Sequence, residues 1–524
     1  MASTLFPPVQ ATAGASTRGL TATLVRALPA LLTGQNIKVL LLAFAVYALV
    51  KYRHSAYGVR PRPDIKGPPG WPLLGNLVEE RLSPPSQVLQ RQVARHEEYG
   101  SIYTFTLPGV GRIINILDPA MVDHILRANF WAYEKGSATQ KAFEPLLGNG
   151  IFSADGEHWK WQRKLASQIF SVKAFRHYTS DVFCREAQIA IDYLNSAADS
   201  GRVVDMQQLF YCYTLDSFGE IAFGQSFGCL VDPEKEVPFA AAFDRLNSDI
   251  SDRPVVASWR LKDWWTGKGD QIKKDSKVVR DFALNIIQQR RRQEQEKEDQ
   301  GDQAPRNKDL LQLFMDIGKE GEALSDDMLI DSVLNFVIAG RDTTAQALSW
   351  TFYLMHRSSA SPQILEQLVN ETDTVLSGGL PTYESTKHQN VPKNGKTCVQ
   401  DDVLPDGTRV YKGDRVSWSS YAMGRAASLW GPDAKEYKPE RWMNGEKPSS
   451  SKFISFHHGP RTCLGQQFAT IEAITLMSML VQNFTFELVD PNNEPAYVPS
   501  LTLPMRRGLP IRVKRRANTP AARD

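Results

Sequence analysis

The sequence predicts a mainly α-helical domain with small β-sheets at its edge, over residues 76–516, followed by a tail over residues 517–524. Apolar residues recur mostly at helical spacing, strand patterns are few and short, and no repeat or second linker divides this part of the chain. A content of 42% hydrophobic and 23% charged residues is ordinary for a globular protein with a sizeable core. The net charge of +3 is too small to favour a nucleic-acid partner.

The N-terminal part of the chain has no acidic residue before residue 64. We expect a leader over residues 1–36, a membrane anchor over residues 37–50 and a basic, proline-rich hinge over residues 51–75. The anchor has an unbroken apolar run over residues 39–50, shorter than the about 20 residues of a full span. Basic residues after the run favour a cytoplasmic location for the rest of the chain. A buried core helix and a transit peptide are the alternatives.

Short strands are expected at three places at the edge of the helical domain. Residues 101–106 and 112–116 flank a Pro-Gly turn, which predicts a hairpin. Residues 410–417 follow the Asp406-Gly407 pair, a good hairpin turn, and are predicted to form one strand.

The five cysteines are scattered and include no C-x-x-C pair, which argues against a disulfide framework or a zinc site. One of them, Cys463, lies in a glycine-containing turn over residues 456–465 (FHHGPRTCLG), two residues after Arg461. A thiolate pointing out of a tight loop is a good iron ligand, and Arg461 can neutralise a carboxylate on the same cofactor. All fixed positions of the pattern F-x-x-G-x-R-x-C-x-G are present, as Phe456, Gly459, Arg461, Cys463 and Gly465.

This segment resembles the haem-binding loop of the cytochrome P450 monooxygenases. The resemblance implies the cytochrome P450 fold, haem b (iron protoporphyrin IX) as cofactor and Cys463 as the iron ligand. Thiolate ligation pushes electron density onto the iron and favours cleavage of bound dioxygen. The other loop residues, Phe456, Gly459, Arg461 and Gly465, are then expected to contact the haem.

A long helix is predicted over residues 326–358, apolar nearly all round before residue 339 and therefore central in a large domain. Its centre reads AGRDTT, with a glycine that costs about 1 kcal/mol relative to alanine. Asp342 and Thr343 can pass protons to a bound group. In the structural alternative, Thr343 bonds to the preceding turn and Asp342 pairs with an arginine. The segment resembles the oxygen-activation motif of the P450 family, which implies catalytic roles for Asp342 and Thr343.

Three further residues are expected to hold the haem propionates. Trp159 and Arg163 lie four residues apart and share one helix face. They match the W-x-x-x-R pattern, whose indole N–H and guanidinium bind a propionate in the P450 family; an ordinary amphipathic helix is the alternative. Lys396 stands where the family usually has a propionate-binding arginine.

Residues 437–442 (YKPERW) resemble a segment whose arginine, Arg441 here, closes a buried ion-pair network in the family with an E-x-x-R pair on an earlier helix. No E-x-x-R occurs between residues 345 and 436, and the nearest imitation is residues 384–387 (ESTK). The sequence therefore indicates a deletion near residues 387–391 that removes the E-x-x-R helix. A charge left alone in a buried network costs about 3–5 kcal/mol. The hypotheses are a skipped exon, a faulty gene model or a degenerate copy.

Residues 150–163, residues 421–425 (YAMGR) and the residues after Cys463 resemble the fungal and plant branch that hydroxylates alkanes and long-chain fatty acids. The resemblance implies insertion of one oxygen atom from dioxygen into a C–H bond of a lipophilic substrate. Electrons are expected from an NADPH–cytochrome reductase, since the chain contains no G-x-G-x-x-G. The expected location is the endoplasmic reticulum membrane with a cytosolic catalytic domain, or the mitochondrion. Phe143, Phe336 and residues 501–504 either line an apolar channel or pack in the core.

Two other functions remain as alternatives. A haem-thiolate isomerase or dehydratase needs no proton delivery to dioxygen, so the Asp342–Thr343 pair argues against it. An inactive pseudo-enzyme or lipid-binding remnant is favoured by the missing E-x-x-R helix.

Overall fold

The computed structural model describes residues 34–169, 173–299, 309–320, 324–357, 361–376, 394–442 and 447–516. These residues are mainly helical with small sheets, as the sequence predicted. The first helices are α1 (Gly34–Lys51), α2 (Leu77–Leu82), α3 (Val88–Tyr99), α4 (Pro119–Asp123), α5 (Ser137–Leu147), α6 (Gly156–Ile169), α7 (Lys173–Ser200), α8 (Met206–Phe223) and α9 (Pro238–Ile250). The others are α10 (Trp259–Trp265), α11 (Lys268–Asp299), α12 (Leu310–Glu320), α13 (Asp326–Val337), α14 (Thr343–Arg357), α15 (Ser361–Leu376), α16 (Ser420–Met423), α17 (Ala427–Trp430) and α18 (Gln466–Asn483).

The strands form three small sheets. They are β1 (Ile102–Leu107), β2 (Gly111–Ile116), β3 (Tyr133–Glu134), β4 (Val203–Asp205), β5 (Asn394–Cys398), β6 (Asp402–Val403), β7 (Arg409–Val410), β8 (Arg415–Trp418), β9 (Phe484–Leu488) and β10 (Pro510–Arg515). The largest sheet has the order β1-β2-β8-β5-β3, and the others are β4-β10-β9 and β6-β7. The predicted hairpin is confirmed, because β1 and β2 pair antiparallel from Ile102↔Ile116 to Leu107↔Gly111.

The single strand predicted over residues 410–417 is wrong. The segment forms the end of β7, which pairs with β6, and most of β8, which joins the five-stranded sheet. A turn separates them, in which the Asp414 N–H donates to the Tyr411 carbonyl (2.9 Å) and Gly413 has φ +93°. A positive φ breaks the extended conformation, and alternation alone does not reveal such a turn.

The predicted central helix is confirmed as far as Arg357; residue 358 lies outside the described residues. It begins at the cap Ser325, whose side chain accepts from the Met328 N–H, and α13 continues through a π-helical turn (Ile338–Asp342) into α14. The glycine of the AGRDTT segment has a packing reason. A Cβ on Gly340 would lie 2.2 Å from a ring carbon of Phe218 on α8, so only glycine allows this approach. π-turns occur frequently at functional sites.

Helix α8 lies beside the central helix in the middle of the main hydrophobic core. Asp205 caps its start through the N–H groups of Gln207 and Gln208, and Gly224 ends it in a left-handed conformation. Most of its residues are buried on all sides, as expected of a helix surrounded by other helices. The Thr214 hydroxyl donates to the Arg341 carbonyl (2.9 Å), which fixes α8 against the π-turn.

The N-terminal segment rests on the edge of the largest sheet. The predicted hinge has no helix between Tyr52 and Asn76, and the Thr104 N–H on β1 donates to the Lys66 carbonyl (2.9 Å). Nearly all the apolar side chains of α1 are exposed. In the described part of the chain, no helix has both the length and the apolar character needed to span a bilayer. The predicted deletion near residues 387–391, residues 384–387, most of the leader and the tail lie outside the described residues.

Candidate active site

The Cys463 loop is shaped by short hydrogen bonds and one close backbone approach. The Cys463 N–H donates to the Phe456 carbonyl (2.8 Å), and the Thr462 N–H donates to the Gly459 carbonyl (3.0 Å). Gly459 has φ +67°, and a Cβ there would lie 2.0 Å from the carbonyl oxygen of Leu126. Only glycine can occupy this position, which explains the fixed glycine of the pattern. Helix α18 begins three residues after the cysteine, at Gln466.

The Cys463 thiol differs from the other cysteines of the chain. It is the exposed one, whereas Cys212, Cys229 and Cys398 are buried and Cys184 is half-buried. Burial nevertheless raises its pKa, opposed by a hydrogen bond from the Gly465 backbone and by the charge of Arg163. The thiol is therefore accessible although neighbouring protein atoms partly desolvate it. This is the position that a ligand to a buried cofactor requires.

Three cations lie together beside this loop, and we call Lys135, Lys396 and Arg461 the cation cluster. The Arg461 guanidinium lies over the ring of Trp159, with 4.3 Å from its Cζ to the ring centroid. The Lys396 ammonium lies 5.4 Å from the ring centroid of Phe130, which in turn packs on Trp159. The structure therefore brings together side chains from β5, α6 and the cysteine loop that lie up to 302 residues apart in sequence.

The cation cluster carries more positive charge than its surroundings neutralise. Burial lowers the pKa of Lys396 well below its usual value, and repulsion from Arg461 and Lys135 lowers it further. Burial likewise lowers the pKa of Lys135 to about 8 and that of Arg461 to about 10. Asp155 is the nearest acid and pairs with Arg461 at 2.9 Å, but Nε of Arg461 is buried without a hydrogen-bond partner. Buried charges are costly unless paired, so this cluster is suited to an anionic ligand.

Arg163 lies on α6, one turn after Trp159, and extends this positive region toward the thiol. Burial lowers its pKa, and the Cys463 sulfur is the group that counteracts this effect. The predicted W-x-x-x-R pair therefore reaches both ends of one site. Trp159 lies beside Arg461, and Arg163 lies near Cys463.

A second charged group surrounds the acid of the AGRDTT segment, and we call Arg341, Asp342, Asp244 and Asn247 the acid cluster. Arg341 pairs with Asp342 at 2.9 Å and with Asp244 on α9 at 2.6 Å. Burial opposes the charge of Arg341, but the two carboxylates raise its pKa above the usual value. Burial raises the pKa of Asp342 to about 7, although Arg341 and Asn247 oppose the shift. The acid cluster thus pairs its cation internally, while burial leaves Asp342 more easily protonated than an ordinary aspartate.

The Thr343 hydroxyl donates to the Ala339 carbonyl (2.6 Å), four residues earlier. With the Arg341–Asp342 pair, this is the local geometry that the structural alternative described. It is also compatible with proton transfer, since a hydroxyl held by one hydrogen bond keeps its lone pairs for another. The catalytic roles of Asp342 and Thr343 therefore stay predictions.

Helices α8 and α18 connect the central helix to the cysteine loop. Phe218 packs against Gly340 and lies 5.9 Å, centroid to centroid, from Phe468 on α18. The Ser217 hydroxyl donates to the carboxyl of Glu472 (2.7 Å), whose pKa burial raises to about 8. Side chains of α8 therefore contact both the π-turn and the helix that follows Cys463.

A sequence profile described as cytochrome P450 matches residues 65–509, most of the chain. The chain belongs to the cytochrome P450 family. It is 36% identical over 503 aligned residues to the cytochrome P450 monooxygenase cyp1 of Mycosarcoma maydis, which covers 89% of this chain and 78% of the relative. It is also 36% identical to cytochrome P450 704C1 of Pinus taeda (77% and 84% covered) and 31% identical to cytochrome P450 94A2 of Vicia sativa (86% and 91%).

As a member of the cytochrome P450 family, the protein is an enzyme with a haem cofactor, and the family implies dioxygen, a lipophilic substrate and a redox partner. The residues present fit a haem. The cation cluster matches the two carboxylates that protoporphyrin IX carries, the unpartnered Nε of Arg461 offers a donor, and Cys463 offers a thiolate to the iron.

Arg441 does not have the unpartnered, buried charge that the predicted deletion led us to expect. Its guanidinium pairs with the Asp433 carboxylate at 2.6 Å and donates to the carbonyls of Trp430 and Asp433. Its side chain is 20% exposed. Asp433, six residues before the PERW sequence, is the local acid that pairs with Arg441. The expected cost of a lone buried charge is therefore wrong for this residue.

Three residues of this P450 site were not predicted from the sequence. Lys135 belongs to the cation cluster, Asp155 pairs with Arg461 and caps the turn at Lys135 and Gly136, and Asn247 contacts Asp342. None of them lies in a motif with fixed spacing. The one sequence signal is the Asp155-Gly156 pair, which is typical of a helix start and lies at the beginning of α6. Phe336, which we considered for a substrate channel, packs on Phe314 in the helical core.

Proposed function

We propose that this cytochrome P450 hydroxylates C–H bonds of a long-chain fatty acid or alkane, with electrons from an NADPH–cytochrome reductase. One observation carries the proposal: the cation cluster, Trp159, Arg163 and the accessible Cys463 thiol converge on one site although they come from separate elements. The proposed substrate class rests on the resemblance of residues 150–163 and 421–425 to the branch that hydroxylates alkanes and long-chain fatty acids.

In this proposal Cys463 holds the iron, while Arg461, Lys396, Trp159 and Arg163 hold the propionates, joined by Lys135. Phe456, Gly459 and Gly465 shape the loop. When bound, the haem supplies activation of dioxygen at its iron. Neutralising the buried cations with carboxylates removes their mutual repulsion, so cofactor binding and folding of this region support each other.

Asp342 and Thr343 are proposed to move protons into the site. A carboxyl with a pKa of about 7 is present in both protonation states at neutral pH, which is the condition for efficient general acid catalysis. The Thr343 hydroxyl, which donates to the Ala339 carbonyl, keeps its lone pairs free to accept a further hydrogen bond in this relay. Arg341, itself paired with Asp244, holds the Asp342 carboxyl in place, so that carboxyl is not a buried, unpaired charge.

A Cys463→Ser variant tests the iron ligand. We expect the wild-type protein to give the thiolate-type absorption band after reduction and treatment with carbon monoxide, and to hydroxylate dodecanoic acid or dodecane in the presence of a reductase. The variant should lose both properties. Cys184→Ser, at a half-buried cysteine outside the site, is the matched control. An unaltered absorption spectrum in Cys463→Ser would overturn the assignment.

The alternative is an inactive or lipid-binding remnant. The alignment with the Mycosarcoma maydis relative spans 503 positions but takes in only 89% of this chain, so the relative has residues opposite gaps in this chain. This supports a deletion, which we place near residues 387–391. Wild-type protein that is purified without haem would favour the remnant. Sequencing the transcript through codons 385–395 distinguishes a loss in the gene from a faulty gene model.

We also propose that the N-terminal segment attaches the enzyme to the endoplasmic reticulum membrane, with mitochondrial import as the alternative. The apolar, exposed side chains of α1 and the basic residues that follow support this location. Fractionation of cells that express the full chain shows which of the two membranes contains it. A chain lacking residues 1–51 shows whether this segment is needed for attachment. Recovery of the full chain in the soluble fraction would contradict both.

A further inference from the structure

Asn247 on α9 joins two parts of the site that no motif connects. Its side chain is buried, with 3% exposed, and both of its polar ends are used. Nδ2 donates to Oδ2 of Asp342 at 3.4 Å, a long hydrogen bond, and Oδ1 accepts from the Leu501 N–H at 3.2 Å. One amide therefore connects the acid of the central helix to the loop at residues 500–504.

The loop at residues 500–504 is held compactly, so a displacement at one end reaches Asn247. The Ser500 hydroxyl accepts from the N–H groups of Thr502 and Leu503, and the Leu503 carbonyl accepts from the indole of Trp350 on α14. Leu503 has φ +64°, an uncommon conformation for a leucine. The apolar side chains of this loop are those that we expect along the substrate channel.

We propose that Asn247 is a positioning residue that couples the loop at Leu501 to Asp342, so that an apolar chain in the channel changes the hydrogen bond that Asp342 receives. The inference rests on the proposed function, because it assumes that residues 501–504 face the substrate. Asn247 touches neither the substrate nor the haem in this proposal.

The charges around Asp342 make it sensitive to this contact. Arg341 on the same helix, Asp244 and Asn247 on α9, and Tyr211 on α8 are the polar groups that face it. Arg341 forms ion pairs with both Asp342 and Asp244. The hydrogen bond from Asn247 is therefore the contact that Asp342 can lose without breaking an ion pair. Losing a donor to a carboxylate favours the protonated form and raises the pKa of Asp342.

The first experiment measures this pKa directly, by infrared titration of the carboxylic-acid band that Asp342→Asn removes. We expect a midpoint near pH 7 in the wild-type protein and a midpoint about one pH unit higher in Asn247→Leu. Asn247→Ser, which is too short to reach Asp342, serves as a second variant if Asn247→Leu folds poorly. The control Ser251→Ala removes only a bond to the Ser248 carbonyl and should leave the midpoint in place. Equal midpoints in the wild-type protein and both Asn247 variants would overturn the contact.

The second experiment tests the coupling to the loop, with 1-dodecanol as a channel ligand that does not itself ionise. Titration calorimetry at pH 7 in two buffers of different ionisation enthalpy gives the number of protons exchanged on binding. We expect proton exchange in the wild-type protein and Ser251→Ala, and none in Asn247→Leu or Asp342→Asn. Binding without proton exchange in the wild-type protein, or exchange that persists in Asn247→Leu, overturns the coupling but leaves the proposed function intact. Absence of any binding overturns the substrate class and the coupling together.

Discussion

The cation cluster and the acid cluster are both groups of largely buried charges, with Asp244 of the acid cluster exposed, but they are balanced differently. Lys135, Lys396 and Arg461 are three cations with only Asp155 and Glu134, among the described residues, as the acids that act on them, and the pKa of each is lowered. In the acid cluster, Arg341 lies between two carboxylates and its own pKa is raised. An unbalanced cluster indicates a missing ligand of opposite charge, whereas a balanced one can hold a proton without a ligand. We therefore propose that the first cluster holds the haem and that the second transfers protons.

The largest expected effect lies in the acid cluster. Asp342→Asn keeps the shape of the side chain but cannot release a proton, so hydroxylation of dodecanoic acid should slow by about 100-fold. Consumption of NADPH without product should rise relative to product formation. The control is Asp249→Asn, at an acid that pairs with Lys268 and lies on the same α9 that carries Asp244. Product formation within twofold of the wild-type rate would remove Asp342 from the mechanism.

The cation cluster should respond in opposite directions with and without cofactor. Lys396→Met removes a propionate partner, so haem affinity should fall about 10- to 100-fold. The same change relieves repulsion in the haem-free protein, whose midpoint of thermal unfolding should rise. Lys160→Met, at a lysine that is 60% exposed on α6, should change neither quantity. A lower unfolding midpoint in haem-free Lys396→Met would mean that the cluster is already balanced.

The pH dependence of stability should differ in sign between the two clusters. The lowered pKa of Lys135 means that the unfolded chain binds more protons between about pH 8 and the usual lysine value, so haem-free stability should rise with pH there. The raised pKa of Asp342 means that the folded chain binds more protons between about pH 4 and 7, so stability should fall as pH rises through that window.

Urea unfolding of the haem-free protein at several pH values measures both slopes. Lys135→Met should reduce the alkaline rise by about 1 kcal/mol, and Asp342→Asn should flatten the acidic fall. If neither variant changes its slope, the pH dependence of stability comes from other groups.

The smallest effect is expected at Arg441, whose ion pair with Asp433 is less buried than the charges of the two clusters. Because Asp433 and two backbone carbonyls satisfy its guanidinium locally, Arg441→Ala should lower the free energy of unfolding by about 1 kcal/mol. Arg127→Ala, which breaks an exposed pair with Asp123, gives the reference for a surface ion pair. A loss of about 3–5 kcal/mol at Arg441 would restore the buried network of the family.

Much of the site could be predicted because its residues lie in short segments with fixed spacing. The loop around Cys463 needs a glycine at 459 for a backbone approach, and the AGRDTT segment needs one at 340 for Phe218, so both glycines left a pattern in the sequence. The β1–β2 hairpin and the central helix were predicted for the same reason, since turns and apolar periodicity are local. The strand over residues 410–417 was wrong because a turn with Gly413 at φ +93° divides the segment between two sheets.

The sequence by itself determined the chemistry of the protein: a thiolate in a glycine turn, an acid beside a hydroxyl on a central helix, and the family to which these belong. Only the tertiary structure decided which charges meet. Lys135 is one of many lysines until β3 and β5 bring it beside Lys396, and Asn247 is one of many asparagines until α9 lies against Asp342. Local patterns encode backbone geometry and residue type, whereas the balance of buried charge depends on distances between segments that are remote in sequence.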